Sequence, residues 1–164
     1  MTNNDVLRRL RYCFDFNDAK MIGLFALADH TVTRAEVSAW LKADEEVEGY
    51  KAMTDPELAI FLNGFINDKR GKKDGPQHPP EERLNNNIIF RKLKIALNLT
   101  SEDMLDLLEL AQFSISKHEL SAFFRKSDHQ HYRPCKDQVL RNLLKGLQVK
   151  HRDSVWAQAS KQED

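Results

Sequence analysis

Cysteine is scarce in this chain: two residues in 164, Cys13 and Cys135, far apart in sequence. Such a pair is no disulfide framework, and a chain of this length buries roughly 70% of its unfolded surface without staples. Free thiols in a reducing cytosol are the expectation. Glycine is also sparse, at six residues, and no Gly-rich phosphate loop is present. No apolar run reaches the ~18 residues of a membrane span. The N-terminal stretch MTNNDVLRRLRY lacks the apolar segment of a signal peptide, so the chain reads as cytoplasmic. Strict apolar–polar alternation bounded by turns is missing, and with it any strand signal. Charge of one sign is missing too, with 25 basic against 25 acidic side chains. Nucleophilic catalysis needs a nucleophile, a base and an orienting group, and the one adjacent pair is Cys135 near His131. These absences point away from an enzyme and leave an all-α protein to account for.

What the chain has instead is itself, twice. NNDVLRRLRYCFDF begins at Asn3 and NNIIFRKLKIALNL at Asn86, an offset of 83 residues. Arg8 then falls on Arg91, Leu10 on Leu93, Met21 on Met104 and Leu24 on Leu107. EVSAW from Glu36 matches ELSAF from Glu119. A one-residue deletion near Val47 shifts the offset to 82, after which Tyr50 meets Tyr132, Asp55 meets Asp137, Leu58 meets Leu140 and Gly64 meets Gly146. Self-similarity at a fixed offset marks a duplicated structural unit. The expected organisation is a first helical repeat over 1–70, a linker over 71–84, a second repeat over 85–152 and a tail over 153–164, frayed or weakly helical. The linker stretch GKKDGPQHPPEER holds three of the five prolines, which cannot continue a helix.

Each copy reads as four helices, giving two tandem four-helix units in a pseudo-symmetric arrangement. Val6, Leu10, Cys13 and Phe14, with Ile89, Leu93, Ala96 and Leu97 in the second copy, mark an amphipathic first helix. Asn3–Asn4 and Asn86–Asn87 are the expected N-caps there. Second helices start near Asn17 and Thr100. Third helices open with the capping boxes Thr33–Glu36 and Ser116–Glu119. Asp55 before Pro56, and Asp137, are the expected caps of the fourth helices. Gly64 and Gly146 sit inside those helices, where glycine costs about 1 kcal/mol relative to alanine. Their recurrence predicts a close helix approach, taken here as the clasp between the two copies.

Candidate binding residues lie on two helix faces. Opposite the first helix's apolar side stand Arg8, Arg9 and Arg11, and Arg91, Lys92 and Lys94 in the second copy. The third helices show Arg34, Ser38 and Lys42, matched by Lys117, Ser121 and Arg125. Cations flanking a hydroxyl along a helix suit a phosphate backbone, although such faces often merely solvate. The second and third helices, joined by DHTV, give a weak helix-turn-helix signal through Val32, Val37 and Trp40. Residues 1–70 carry 9 basic and 12 acidic side chains, and residues 85–152 carry 12 and 7, so a polyanion would meet the second half first. His129, His131 and Cys135, with His151 downstream, are zinc-type ligands at a spacing that matches no metal pattern. No metal or cofactor is expected.

Taken together, NNDVLRRLRY, EVSAWLKADEEVEGY, ELAIFLNGFINDKRG and NNNIIFRKLKIAL resemble the YehS-like family of small bacterial proteins, whose members hold two tandem copies of a domain of unknown function. The resemblance covers nearly the whole chain apart from the tail. It implies a bacterial cytoplasmic protein, and it supplies neither an activity nor site residues. It further implies a cysteine just before the fourth helix in each copy, where this chain has Met53 and Cys135. The expected function is a non-catalytic regulatory or binding protein using its basic helix faces on nucleic acid. The alternative is a protein-interaction module or homodimer scaffold. No membrane and no small-molecule substrate is indicated.

Overall fold

The computed structural model describes residues 1–153. The chain forms α1 (Asn3–Phe14), α2 (Asp18–Leu27), α3 (Arg34–Trp40) and α4 (Asp55–Arg70), then α5 (Asn86–Ala96), α6 (Ser101–Leu110), α7 (Lys117–Ala122) and α8 (Asp137–Gln148). A π-helical turn, Val149–Asp153, extends α8. No strand occurs among the described residues, and the fold is all-α, two copies of one four-helix unit. The rest of the expected tail, residues 154–164, lies outside the described residues.

Within each unit the second helix packs on the fourth, α2 on α4 and α6 on α8. The midhelical glycines make this approach possible. A Cβ on Gly64 would lie 1.7 Å from the Leu24 carbonyl oxygen, and one on Gly146 would lie 1.9 Å from that of Leu107. The close approach is real, but it does not join the copies as expected: each glycine faces a helix of its own unit. The copies meet instead through α4 on α5 and α8 on α1, which are the same contact related by the pseudo-two-fold. The Cys13 thiol reaches the Leu144 carbonyl oxygen at 3.6 Å across that seam. One core runs through both units, with Leu7, Leu10, Phe25, Trp40, Phe61 and Phe90 fully buried.

The local code of the helix starts is only partly as expected. Thr33 and Ser116 close capping boxes with Glu36 and Glu119, and Asn17 and Thr100 cap α2 and α6. Thr2 and Asn85, however, cap α1 and α5. The asparagine pairs are the first two residues of their helices, just inside the caps, and do something else. Asn4 is buried, donates to the Trp40 and Lys51 carbonyls at 3.0 and 2.9 Å, and accepts from the Met53 amide at 2.9 Å. Asn87 repeats this with Phe123, Arg133 and Cys135 at 3.0, 2.9 and 2.9 Å. These side chains satisfy buried backbone groups that flank the irregular segment before the fourth helix. Asn3 and Asn86 donate to the Met53 and Cys135 carbonyls and to the Asp55 and Asp137 carboxylates. Asp55 is therefore no cap; Thr54 is. Asp137 is no cap either, and Lys136 at that position makes no side-chain cap bond.

Candidate functional site

The pseudo-symmetry creates two equivalent clefts, one between α8 and α1 and one between α4 and α5. Their corresponding positions match at the sequence offsets: Arg8 with Arg91, Arg9 with Lys92, Tyr12 with Ile95, and Lys145 with Asn63. Each has a volume near 700 Å³, about 700 for α1–α8 and about 720 for α4–α5. The linker leaves α4 and forms the far wall of the α4–α5 cleft with Gly71, Pro76, Gln77 and Glu81. Gln77 accepts from Asn67 at 2.9 Å, and the Glu81 carboxylate lies 3.0 Å from the Lys92 ammonium. Lys92 is buried there and also donates to Asn63. No linker residue lines the α1–α8 cleft.

The α1–α8 cleft is lined by Arg8, Arg9 and Arg11 from α1 and by Arg141 and Lys145 from α8, with Tyr12, Asn142 and Gln148 among them. Among the described residues no carboxylate lines it. Arg8 is committed elsewhere: its guanidinium donates to the Lys42 and Ala43 carbonyls at 2.8 Å each, closing the end of α3, and pairs with Asp5. Arg91 repeats that closure on the Phe124 carbonyl at 2.9 Å. Arg9, Arg11, Arg141 and Lys145 form no ion pair among the described residues.

The remaining residues singled out from sequence lie apart from this cleft. The basic stripes of α1 and α5 do not share a face; they line different clefts. Arg34 sits 3.8 Å from Asp18, and Lys117 pairs with Glu102 at 2.8 Å. Lys94 lies over the Phe124 ring, 5.8 Å from its centroid. Ser121 donates to the His118 carbonyl in its own helix, while Ser38 is exposed; Lys42 and Arg125 are half-buried near the ends of their short helices. Six residues separate α2 from α3, and α3 has only seven residues. A helix-turn-helix uses a three- or four-residue turn, so the weak signal in the sequence does not correspond to that motif. Sequence reading missed Arg141 and Lys145. Their twins are Ala59 and Asn63, so comparing the copies for gained charge would have found them.

Neither thiol is an activated nucleophile. Burial pushes the Cys13 thiol up to about 11 and the Cys135 thiol up to about 12, where the nearby Asp137 charge adds to the effect. His129 and His131 stand with ring centroids 5.5 Å apart, while Cys135 is buried beside Asn87. Among the described residues no three His, Cys, Asp or Glu side chains gather as a metal ion would require. No helix among them is long and apolar enough to cross a membrane.

Comparison with known proteins agrees with the duplication. The family model described as "Protein of unknown function (DUF1456)" matches twice, over residues 3–71 and 86–153. The chain is 40% identical over 148 residues to "Uncharacterized protein YehS" of Escherichia coli strain K12, which covers 90% of this chain and 94% of that relative. No solved structure matches the chain. Two matches in tandem, each spanning one four-helix unit, together with a relative aligned along nearly its full length, place the chain in the DUF1456 family, among YehS-like proteins.

Proposed function

We propose that the protein is a non-catalytic nucleic-acid-binding protein, and that the α1–α8 cleft holds the phosphate backbone. The observation carrying this reading is the convergence of Arg9, Arg11, Arg141 and Lys145 on one cleft with no carboxylate in its lining among the described residues. Cations with no ion pair among the described residues, gathered in a concave site, raise the local potential, because the low-dielectric walls focus the field. Each phosphate they neutralise releases condensed counterions, which favours binding in proportion to the number of contacts. Guanidinium groups add forked donors matched to phosphate oxygens. The site draws on both copies, and the second copy's contribution from α8 fits its excess of positive charge.

Filter binding of labelled DNA and RNA across a salt series tests this. Affinity should fall linearly on a log–log plot, and replacing Arg9, Arg141 and Lys145 together by alanine should lower the slope by about two to three. Lys117→Ala, which removes a cation already paired with Glu102, should leave the slope unchanged. Absence of salt-dependent binding to both DNA and RNA would end the proposal, as would preferential capture of an acidic polypeptide by the same cleft.

A further inference from the structure

We infer that the α1–α8 cleft takes single-stranded rather than duplex nucleic acid, with a base stacked on Tyr12; this rests on the reading of that cleft as a phosphate-binding site. Four large apolar or aromatic side chains are exposed among the described residues: Tyr12, Val47, Ile95 and Leu110. Two of them, Tyr12 at 46% and Ile95 at 45%, are twins that line the two equivalent clefts. In the linker-walled cleft the position is aliphatic. In the basic cleft it is an aromatic ring set among arginines, the combination that stacks bases while its cations track a backbone.

The ring is also held in place. Arg152 lies across it with the guanidinium carbon 4.4 Å from the ring centroid, and is itself anchored 2.9 Å from the Asp15 carboxylate. Its guanidinium also donates to the Tyr12 carbonyl at 3.3 Å. A ring fixed before binding loses little freedom when a base arrives. The twin cleft supplies the scale: one stretch of linker walls it off, and the basic cleft matches it closely in volume, at about 700 Å³. A space of that size suits one strand better than the two backbones of a duplex. The third helices, where the sequence suggested duplex reading, span only seven and six residues and do not line this cleft.

Fluorescence anisotropy with labelled 12-nucleotide dT and U strands, and with a hairpin duplex of equal charge, tests the inference. The single strands should bind at least tenfold tighter than the hairpin. Tyr12→Ala should weaken single-strand binding about tenfold, the effect of one lost stacking contact, while Tyr12→Phe, which keeps the ring, should restore most of it. Thermal unfolding of each variant checks that the fold is intact. Duplex bound as tightly as single strand, or wild-type affinity in a folded Tyr12→Ala, overturns the stacking inference while leaving the phosphate reading standing. Failure of every nucleic acid to bind the wild-type chain overturns both.

Discussion

Gly23, Gly64 and Gly146 are all helical glycines, yet alanine at each should act differently. A Cβ at Gly23 meets nothing within 4 Å, so Gly23→Ala should stabilise the protein by up to about 1 kcal/mol through helix propensity alone. At Gly64 and Gly146 the added carbon collides with a carbonyl of the neighbouring helix, and backbone cannot rotate away as a side chain can. Overpacking of this kind costs about 1–3 kcal/mol and outweighs the propensity gain. Chemical denaturation of the three variants should give one midpoint above wild type and two below; equal effects at Gly23 and Gly64 would refute the packing argument. The sequence showed these two glycines because both copies keep them. It did not show their partner, since a glycine reports closeness without saying to what. The asparagine pairs misled for a related reason. A cap needs one asparagine, while the first copy writes two and the second three, Asn85–Asn87; the surplus signalled a second task, that of satisfying buried backbone groups.

Helix starts were more legible than helix ends, and the difference is chemical. Starts carry hydroxyl and carboxylate side chains in fixed spacing. The first two helices of each copy end by turning through left-handed residues that are not glycine: Asp15, Asp29, Asn98 and Gln112, with φ near 50–60°. Two twin pairs adopt this conformation without the residue that normally advertises it. The capping carboxylates also make an acid-sensitive contribution. Glu36 and Asp103 are held below the ordinary carboxylate value, first by the Thr33 and Thr100 backbone amides and then by their hydroxyls. The unfolded chain binds those protons more readily. The stability they add is therefore fully present above the ordinary carboxylate value and is lost as pH falls through the lowered folded values. The thermal midpoint should decline gently below about pH 6.5, because burial holds the His151 imidazole under its ordinary value, and then fall through the capping carboxylates' own range below about pH 4. A Glu36→Gln, Asp103→Asn variant keeps an acceptor at each cap but has nothing there to titrate, so its midpoint should fall less over that window. A double variant that tracks wild type throughout would remove the caps from the acid response.

At the scale of the whole molecule, the duplication was legible but its consequence was not. Matching residues reveal that two units exist; only the packing shows that each unit's outer helices turn to the other unit. Because α4 rests on α5 as α8 rests on α1, neither copy completes its own core. The divergence between copies has a physical reading too. One cleft is walled by the linker, while its twin has gained Arg141 and Lys145 where the first copy has Ala59 and Asn63, so the clefts no longer compete for one role. A fragment of residues 1–71 tests the interlocking. Alone, it exposes the side of α1 that meets α8 and the side of α4 that meets α5. A second fragment can supply both, since α4 is the twin of α8 and α1 the twin of α5, and the pairing would be isologous. Light scattering should give twice the fragment mass wherever circular dichroism shows a cooperative fold, and dilution should unfold it. Residues 1–70 carry 9 basic and 12 acidic side chains, so the paired fragments repel weakly and added salt should tighten them, while the full chain melts at a temperature independent of concentration. A folded monomer of 1–71 would show that each unit is self-sufficient and that the shared seam is mere adjacency.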